Sequence, residues 1–440
     1  MSFKGNIVST NNVSISQTPF ETVSVIGLGY IGLPTAAMFA SRKKQVIGVD
    51  VNQHAVDTIN RGEIHIVEPE LDIIVHAAVT EGYLKATTQP ESADAFLIAV
   101  PTPFKESTIG KTEIPEPDLT YIKSAALAIA PVLKKGDLVI LESTSPVGAT
   151  EQMSEWLAEA RPDISFPQND ENNPDVNVAH CPERVLPGHV VRELVENDRV
   201  IGGMTTQCSE RAIELYKTFV QGECVVTNAR TAEMAKLTEN SCRDVQIAFA
   251  NELSIICDKL DIDVWELISL ANRHPRINIL QPGPGVGGHC IAVDPWFIVS
   301  KTPEEAQLIH TARKVNDAKP EWVINKVKLA IADFLLENPD KTAKDLTIAC
   351  YGLAFKPDID DLRESPALNI ADSIGKLHGG KTLVVEPNIT KLTHGNEKLN
   401  LVSIKEARLA DISVLLVDHS EFKSFKPTSK FLVDSKGIWR

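Results

Sequence analysis

Short apolar runs alternate with helical stretches in the first third of the chain. Apolar residues predict strands over residues 23–26, 45–49, 95–100 and 138–141, and an alanine-rich stretch predicts a helix over 33–40. Strands that alternate with helices in this way are typical of a parallel, doubly wound sheet. Ligands of such sheets bind beyond the carboxyl ends of the strands, so the turns after these strands are candidate binding sites.

Apolar positions recur at helical spacing from about residue 231 to residue 272, which predicts one helix of more than forty residues. A helix of this length commonly joins domains or forms a dimer interface. A second set of strands is predicted at 346–351, 382–386, 412–417 and 431–433. These strands indicate a second, smaller α/β unit near the carboxyl end of the chain.

The chain has 440 residues, which is too many for one compact core. We therefore expect an α/β protein with an N-terminal Rossmann-like domain, a central long-helix region and a smaller C-terminal Rossmann-like domain. The expected boundaries are a polar extension at 1–20, a cofactor-binding domain at 21–205, a central region for dimerisation and catalysis at 206–330 and a second α/β domain at 331–440.

The overall charge and the cysteine usage argue against several classes of protein. A formal net charge of -15 argues against a nucleic-acid-binding protein, which needs a basic face. No apolar run approaches the roughly 20 residues that span a bilayer, and the N-terminus lacks a basic segment followed by an apolar core. Seven cysteines without a C-x-x-C pair predict reduced thiols in the cytoplasm, and neither a disulfide framework nor a metal site.

Three glycines between the first strand and the first helix, Gly27, Gly29 and Gly32, fit the pattern G-x-G-x-x-G. They permit a tight turn and a close approach of the backbone to a pyrophosphate at the helix N-terminus. Asp50 ends the second strand, where a carboxylate accepts hydrogen bonds from ribose hydroxyls and repels a 2′-phosphate. A glycine turn also occurs in plain α/β domains, but the strand, the helix and the terminal acid together predict an NAD site.

Cys290 lies in a glycine-rich run, residues 283–295, with the sequence G-P-G-V-G-G-H-C-I-A-V-D-P. Exposed backbone amides or a nearby helix start can lower the pKa of such a thiol and make it a nucleophile. A cysteine outside a disulfide is more often a small buried hydrophobic residue, so the run alone leaves both interpretations open. Asp294 precedes Pro295, which predicts a helix with Asp294 as its N-cap.

Lys236, Asn240 and Arg243 share one face of the long predicted helix. A cation and an amide on one face can stabilise an oxyanion that develops on a substrate. A solvated polar face is the commoner explanation for this spacing. Glu183 is a similar case, because a glutamate in this setting either positions a water molecule or forms a surface salt bridge.

Seven segments of the chain, in their order, resemble the UDP-glucose/GDP-mannose dehydrogenase family, and the resemblance covers nearly everything from residue 21 onwards. Two of them are the helix with Lys236 and Asn240 and the run around Cys290. The others are V-I-G-L-G-Y-I-G-L-P at 25–34, V-P-T-P at 100–103, E-S-T-S-P-V-G at 142–148, C-P-E-R-V-L-P-G at 181–188 and G-L-A-F-K-P-D-I-D-D-L-R-E-S-P at 352–366. The resemblance implies a four-electron oxidation of a sugar C6 hydroxyl to a carboxylate, with two NAD used in turn.

The resemblance also implies roles for the candidate residues. Cys290 would trap an aldehyde as a thiohemiacetal and then carry a thioester, which water hydrolyses. The residues implied to act with it are Lys236 and Asn240 on the oxyanions, Asp294 and Thr144 on a water molecule, and Glu183 near the thioester. Cofactor binding is implied for Gly27, Gly29, Tyr30, Ile31, Gly32, Asp50, Thr102, Thr144 and Arg363. Substrate binding is implied for Arg184, Lys236, Asn240, Arg243, Arg276, Gly287 and Lys356.

Arg276 matches an arginine that reaches the substrate of a neighbouring subunit, so a homodimer is implied. Lys356 and Arg363 fall in the segment that closes the second α/β domain over UDP and the cofactor. UDP-glucose dehydrogenases typically have a lysine where this chain has Val293 and a second glutamate where it has Pro187.

These departures, together with Arg243, resemble the branch of the family that oxidises 2-acetamido sugars. We hypothesise that Arg243 and Arg184 help to select the N-acetyl group or its neighbourhood. The implied substrate is a UDP-N-acetylhexosamine, with the mannosamine epimer expected, and the implied product serves bacterial surface polysaccharides.

Three alternatives stay open at this point. UDP-N-acetylglucosamine differs from the expected substrate only at C2, and no residue decides between the two epimers by physical argument. A two-electron β-hydroxyacid dehydrogenase would share the fold and would need no thiol. A non-catalytic nucleotide-sugar sensor would bind NAD and a UDP-sugar but would need neither a nucleophile nor an oxyanion-stabilising pair.

Overall fold

A computed structural model of the protein describes residues 19–66, 68–108, 114–186, 188–288, 290–392 and 399–439. The chain forms two compact units, residues 1–238 and 239–440, which we call the N-terminal unit and the C-terminal unit. The boundary between them falls inside one long helix, Ala229–Lys259. Most of the predicted extension over 1–20 lies outside the described residues, as do Pro187 and His289.

In the part of the chain that the structure describes, the N-terminal unit contains an eight-stranded sheet. Its strands are β1 (Thr22–Ile26), β2 (Gln45–Val49), β3 (Leu84–Thr87), β4 (Ala95–Ile98), β5 (Leu138–Leu141), β6 (Asn177–His180), β7 (Arg199–Gly203) and β8 (Cys224–Asn228). The order is β3-β2-β1-β4-β5-β6-β7-β8. All neighbouring strands are parallel except β6 and β7, which are antiparallel.

Helices connect these strands, except for β3 and β4, whose described connection contains none. They are α1 (Gly32–Ser41), α2 (Gln53–Asn60), α3 (Leu71–Thr80), α4 (Thr120–Ile129), α5 (Ala149–Ala160), α6 (Val190–Glu196), α7 (Thr206–Tyr216) and the beginning of α8 (Ala229–Lys259), with a short 3₁₀ helix, Ala130–Val132, after α4. Adjacent residues along β4 face two separate apolar cores: Leu97 packs into one, and Phe96 and Ile98 pack into the other. Burial on both faces is what a parallel sheet requires.

The predicted doubly wound sheet is confirmed, and the four strands expected in the first third of the chain are β1, β2, β4 and β5. The sequence pattern misses β3, β6, β7 and β8, which have only four or five residues each. In β8, at the edge of the sheet, Val225 and Val226 are exposed, so no alternation marks the strand. Phe20, which we assigned to the polar extension, is only 3% exposed and lies 3.9 Å from the Arg211 guanidinium.

In its described residues the C-terminal unit contains a five-stranded parallel sheet, which confirms the second α/β unit. Its strands are β9 (Thr347–Tyr351), β10 (Lys381–Val385), β11 (Leu399–Leu401), β12 (Ile412–Leu415) and β13 (Phe431–Asp434), in the order β11-β10-β9-β12-β13. Its helices are the rest of α8, α9 (Val264–Ala271), α10 (Asp294–Lys301), α11 (Gln307–Glu337), α12 (Pro366–Leu377), α13 (Ile404–Ala407) and α14 (Ser420–Lys423). Among the described helices of the whole chain, none combines the length and the apolar character needed to cross a membrane.

The prediction of one uninterrupted helix over 231–272 is wrong. Helix α8 ends at Lys259, and α9 begins only at Val264. Asp261 adopts a left-handed backbone conformation (φ 56°), which a helix cannot continue through. The Asp263 side chain then accepts hydrogen bonds from the Trp265 and Glu266 amides and caps α9. The apolar spacing continues across this break, which is why the sequence pattern does not reveal it.

The first turn of each sheet is built in the same way. In the N-terminal unit, Gly27 (φ 93°) follows β1 and donates its amide hydrogen to the Val49 carbonyl at 2.7 Å. In the C-terminal unit, Gly352 (φ 90°) follows β9 and donates to the Val385 carbonyl at 2.8 Å. Both glycines adopt the left-handed conformation that a residue with a Cβ atom rarely takes.

An acidic residue after the neighbouring strand completes each of these turns. Asp50 accepts a hydrogen bond from the Leu28 amide at 2.8 Å, and Glu386 accepts one from the Leu353 amide at 2.7 Å. Asp50 is half-buried, whereas Glu386 is buried and lies 3.0 Å from Nε2 of the buried His419. The two units therefore share a nucleotide-fold turn, but only the acid of the N-terminal unit is left partly open to a ligand.

Candidate active site

The glycine turn after β1 leaves room for a dinucleotide. A Cβ atom at Gly27 would lie 2.6 Å from the Ala99 carbonyl oxygen, and one at Gly32 would lie 1.7 Å from the Gly27 carbonyl oxygen, so both positions require glycine. A Cβ atom at Gly29 would meet nothing within 4 Å among the described residues. The Ile31 side chain at the N-cap of α1 forms no capping hydrogen bond, which leaves the helix N-terminus available to a phosphate.

The Asp50 carboxylate holds this turn and can still accept further hydrogen bonds. One of its oxygens accepts from the Leu28 amide and the other from the Asn52 amide, each at 2.8 Å. A carboxylate offers about four acceptor positions, so both oxygens retain a lone pair for ribose hydroxyls. The residues of this turn therefore fit NAD, and the negative charge disfavours a 2′-phosphate.

The sheet order brings the candidate residues of the N-terminal unit to one edge. Strands β2, β1, β4, β5 and β6 are consecutive neighbours and parallel, so their carboxyl ends lie at the same edge. The candidate residues that follow these strands are Asp50, the turn from Gly27 to Gly32 with Tyr30 and Ile31, Thr102, Thr144, Glu183 and Arg184. Tyr30, Thr102, Thr144 and Arg184 are half-buried.

Glu183 belongs to a buried charged cluster that the sequence did not suggest. It is only 8% exposed, and its carboxylate lies 2.8 Å from the Arg199 guanidinium. The same guanidinium lies 3.8 Å from the Glu142 carboxylate, which accepts a hydrogen bond from the Tyr216 hydroxyl at 2.6 Å. Burial raises the pKa of Glu142 to about 7, against the opposing effect of the Arg199 charge. One guanidinium thus lies close to two carboxyl groups.

The antiparallel pairing of β7 explains how this cluster forms. Because β7 runs opposite to β6, Arg199 at its start lies at the edge where β5 and β6 end. Glu142 directly follows β5, in the segment E-S-T-S-P-V-G that we had singled out, whereas Arg199 lies in no recognised segment. The motif could therefore have pointed to Glu142, but no spacing signal pointed to Arg199.

Glu233 connects the start of α8 to the turn that contains Thr144. Its buried carboxylate accepts hydrogen bonds from the Gly148 amide at 2.6 Å and from the Thr150 amide at 2.8 Å. Lys236, which is half-buried, lies about one helical turn further along α8. The carboxylate therefore fixes the helix segment of Lys236 relative to the turn of Thr144.

Cys290 lies at the start of a turn that leads into α10. Its side chain is exposed, and its carbonyl oxygen accepts hydrogen bonds from the Val293 amide at 3.1 Å and the Asp294 amide at 2.8 Å. The prediction of Asp294 as the N-cap is wrong, because Val293 is the N-cap and Asp294 is the first residue of α10. A carboxylate in the first helical turn still has a favourable interaction with the helix dipole.

Asn240 and Asp294 form a direct hydrogen bond. The Asn240 Nδ2 atom donates to the Asp294 carboxylate at 2.6 Å, and Asp294 is only 3% exposed. The structure therefore brings together two candidate residues that are far apart in the sequence. Of the seven cysteines, Cys242 on α8 is the other exposed one.

The glycines before Cys290 pack against the segment after β9. A Cβ atom at Gly287 would lie 2.5 Å from the Glu364 carbonyl oxygen, and one at Gly288 (φ 80°) would lie 2.9 Å from the Phe355 ring. The segment 355–366 contains Lys356 and Arg363, both exposed, and Arg363 pairs with Asp361 at 2.6 Å. These glycines are thus required by the close approach of the segment that contains two predicted ligand-binding residues.

Two predicted substrate-binding residues lie on exposed surface of the C-terminal unit. Arg243 is exposed on α8, and Arg276 is exposed in the segment after α9.

Comparison with known proteins agrees with this fold. Three sequence models of the UDP-glucose/GDP-mannose dehydrogenase family match the chain: its NAD binding domain at 21–220, its central domain at 230–318 and its UDP binding domain at 349–440. A UDP-N-acetyl-D-mannosamine dehydrogenase of Yersinia pestis is 67% identical over 96% of this chain and 100% of its own length. An NDP-N-acetyl-D-galactosaminuronic acid dehydrogenase of Ralstonia nicotianae is 62% identical over 96% of each chain.

A solved structure of a UDP-D-ManNAc dehydrogenase from Pyrococcus horikoshii is 36% identical, with a TM-score of 0.83 over 95% of this chain and 96% of that chain. Sequence and fold agree over nearly the full length. The chain therefore belongs to the UDP-glucose/GDP-mannose dehydrogenase family and is an NAD-dependent dehydrogenase with that family's NAD binding domain.

Proposed function

We propose that this protein oxidises the C6 hydroxyl of UDP-N-acetyl-D-mannosamine to a carboxylate through a covalent intermediate on Cys290. The observation that carries the proposal is the exposed Cys290 thiol in the turn that leads into α10, close in sequence to Asp294, whose buried carboxylate accepts a hydrogen bond from Asn240. The names of the Yersinia and Pyrococcus proteins support the mannosamine epimer. The product would serve surface polysaccharide synthesis, and we place the reaction in the cytoplasm.

The proposed reaction has three chemical stages. In the first, the C6 carbon loses a hydride and its hydroxyl loses a proton, which leaves an aldehyde. In the second, the Cys290 thiolate adds to the aldehyde carbon, a C–S bond forms, and loss of another hydride leaves a thioester. In the third, water attacks the thioester carbon, the C–S bond breaks, and the acid leaves with the thiol regenerated. NAD, held by the glycine turn after β1 and by Asp50, would supply the hydride acceptor for each oxidation, so the proposed reaction requires two NAD for each sugar.

Covalent capture explains why a dehydrogenase needs a thiol at all. A free aldehyde would hydrate and diffuse away before the second oxidation, and the C–S bond prevents both losses. The position of Cys290 before α10 suits this role, because a helix N-terminus stabilises a thiolate. A two-electron dehydrogenase would gain nothing from an exposed thiol at this position.

The Asn240–Asp294 bond suggests how the oxygen atoms of the reacting carbon are handled. The Asn240 amide has two N–H donors, and one of them is directed at Asp294. The second can donate to an oxyanion, together with the Lys236 ammonium group. Asp294, held by Asn240, can accept a proton from a water molecule that the Thr144 hydroxyl also binds. We propose these roles for Lys236, Asn240, Asp294 and Thr144.

Glu183 has a more limited role in this scheme. Its carboxylate pairs with Arg199 and is mostly buried, so we propose that it orders the sugar or water near the thioester rather than acting as the main base. UDP-glucose dehydrogenases typically have a second glutamate where this chain has Pro187, a residue that lies outside the described ones. Because this chain lacks that second carboxylate, thioester hydrolysis in the proposed scheme depends on Asp294.

The remaining assignments concern ligands and assembly. We propose that the turn with Gly27, Gly29, Tyr30, Ile31 and Gly32, together with Asp50, Thr102, Thr144 and Arg363, binds NAD. We propose that Arg184, Lys236, Asn240, Arg243, Arg276, Gly287 and Lys356 bind the UDP-sugar, with Arg184 and Arg243 selecting the acetamido group.

Phe249 and Ile256 are exposed on α8, and Leu260 and Leu270 are exposed around α9. These exposed apolar side chains support a homodimer in which Arg276 reaches the neighbouring substrate.

A panel of UDP-sugars with NAD tests the proposed function. We expect the highest kcat/KM for UDP-N-acetyl-D-mannosamine, and much slower oxidation of UDP-glucose. The glucosamine epimer and, because of the Ralstonia relative, a galactosamine epimer are the alternatives that the panel separates. Comparable turnover of UDP-glucose would contradict selection by Arg184 and Arg243. Binding of NAD and UDP-sugars with no NADH formed would identify a sensor instead.

Cys290→Ser and Cys242→Ser form a matched pair for the covalent step, because both thiols are exposed. We expect Cys290→Ser to lose steady-state acid production and Cys242→Ser to retain it. Retention of full acid production by Cys290→Ser would favour a two-electron enzyme.

A further inference from the structure

We propose that Asn251 and Arg313, two buried residues on the long helices α8 and α11, are positioning residues that hold the turn of Cys290 from both sides. This inference rests on the proposed role of Cys290. We call the residues 283–288 and 290–293 the cysteine turn. Its described residues lie in no helix or strand, so their buried backbone groups cannot rely on a helix or a sheet for hydrogen bonds.

Asn251 holds the first residue of the cysteine turn. Its Oδ1 atom accepts a hydrogen bond from the Gly283 amide at 2.9 Å, and its Nδ2 atom donates to Asn316 Oδ1 at 2.9 Å. Asn251 is fully buried, and Asn316 is nearly so. The amide of Asn251 therefore joins three parts of the C-terminal unit: α8, α11 and the start of the cysteine turn.

Arg313 holds the residue directly after Cys290. Its Nη1 atom donates to the Asp244 carboxylate at 2.6 Å and to the Ile291 carbonyl oxygen at 3.5 Å. Its Nη2 atom pairs with Asp317 one helical turn along α11. Asp244 is also held by the Asn316 side chain, at 2.8 Å. Arg313 is thus fixed by two carboxylates, and its weaker third contact is directed at the cysteine turn.

The four buried side chains form one connected set. Asn251 bonds to Asn316, Asn316 bonds to Asp244, and Asp244 bonds to Arg313, with the two ends of the set in contact with Gly283 and Ile291. A buried ion pair contributes little net stability compared with apolar side chains of the same volume. The set is therefore poorly explained by helix packing alone, whereas it supplies a hydrogen bond to the backbone on each side of Cys290.

Ser254 provides a matched control for Asn251. It lies one turn further along α8, is buried, and accepts a hydrogen bond from Lys319 of α11. Ser254→Ala and Asn251→Ala each remove a buried contact between α8 and α11, but only Asn251 bonds to the cysteine turn. Cys242, exposed on the surface of α8, is an internal reference for thiol reactivity.

The test measures alkylation of Cys290 and Cys242 by iodoacetamide in the full-length protein without substrate, by mass spectrometry of the two peptides. In Asn251→Ala we expect a several-fold slower rate at Cys290 and an unchanged rate at Cys242, because the thiol loses its position before α10. We expect kcat with the UDP-sugar to fall about 10- to 100-fold, as small misplacements of reacting groups do. Ser254→Ala should lower the urea midpoint of unfolding about as much as Asn251→Ala does. It should nevertheless leave both alkylation rates unchanged.

Arg313→Lys is the second variant if Asn251→Ala does not fold. It keeps a cation for Asp244 but removes the planar group that also reaches the Ile291 carbonyl, so Cys290 alkylation should again slow. The proposal would be overturned if Cys290 were alkylated at the same rate in Asn251→Ala and in Ser254→Ala. Equal alkylation rates in Arg313→Lys and in the unchanged protein would overturn it as well. Because alkylation needs no substrate, this failure is distinct from that of the proposed function, which appears as full acid production by Cys290→Ser.

Discussion

Asn240 donates a hydrogen bond to the Asp294 carboxylate at 2.6 Å, so a proposed oxyanion donor and a proposed proton acceptor are held in direct contact. Asn240 lies on α8, and Asp294 is the first residue of α10, directly after the turn that begins at Cys290. The hydrogen bond thus couples the nucleophile's turn to the helix that also contains Lys236. Loss of either partner is expected to disturb the other.

A double-mutant cycle on this pair tests the coupling. We expect Asp294→Asn to lower kcat by about 100-fold or more, as removal of a general base does. Asn240→Ala should lower it less, and the double variant should lose less than the two effects combined, because both act through one hydrogen bond. Steady-state kinetics of the three variants measures this, with exposed Thr238→Ala on the same helix as the control. Additive effects would show that the pair does not act as a unit.

The glycine turn predicts that a small change can weaken NAD binding without disturbing the fold. A Cβ atom at Gly29 would meet no described atom within 4 Å, so Gly29→Ala should fold as well as the unchanged chain. The added methyl group would lie where a pyrophosphate approaches, so we expect the Kd for NAD to rise about tenfold, or about 1.4 kcal/mol. Calorimetry gives the Kd, and thermal unfolding without NAD gives the control. An unchanged Kd would place the pyrophosphate away from this turn.

Glu142 should make the stability of the protein depend on pH. Its folded pKa is about 7 and its ordinary value is 4.5, so between these values the folded state keeps a proton that the unfolded state has lost. The free energy of unfolding contributed by this group is therefore full below about 4.5 and falls as the pH rises through about 7. Glu142→Gln removes this contribution.

Urea unfolding of the unchanged protein and of Glu142→Gln, measured at about pH 5, 6, 7 and 8, checks this dependence of stability on pH. The difference in free energy of unfolding between the unchanged protein and Glu142→Gln should shrink or reverse as the pH rises. Two parallel curves would mean that Glu142 titrates at its ordinary value in the folded protein.

Lys319 should make the stability of the protein rise with pH, which is opposite to the effect of Glu142. Burial lowers its pKa to about 7, although the Asp258 charge opposes this and the Lys326 charge adds to it. Between pH 7 and its ordinary value of 10.5 the unfolded state holds a proton that the folded state lacks, so stability rises with pH. We expect Lys319→Met to be more stable than the unchanged protein at pH 7, with a smaller advantage at pH 9. An advantage that does not change with pH would mean that Lys319 is not neutralised by folding.

The sequence predicted those parts of the fold that short-range patterns determine. The four predicted strands of the first sheet are apolar runs followed by turns, and the glycine turn with Asp50 follows from short-range spacing. The end of α8 did not follow, because Asp261 takes its left-handed conformation within an unbroken apolar pattern. The Glu142–Arg199 contact did not follow either, because it depends on the antiparallel pairing of β7.

The candidate site divides in the same way. Motifs picked out Cys290, Asp294 and Asn240, but the buried set that supports the cysteine turn has no motif of its own. Asn251, Asn316 and Arg313 are polar residues within helical patterns, and only the packing of α8 against α11 shows that they are joined.

The ratio of NADH formed to sugar consumed tests the central claim most directly. With UDP-N-acetyl-D-mannosamine and excess NAD, oxidation through a thioester on Cys290 predicts two NADH for each sugar, with the uronic acid as the only product. A ratio of one, with an aldehyde or ketone as the product, would contradict the four-electron reaction and the role of Cys290 in it.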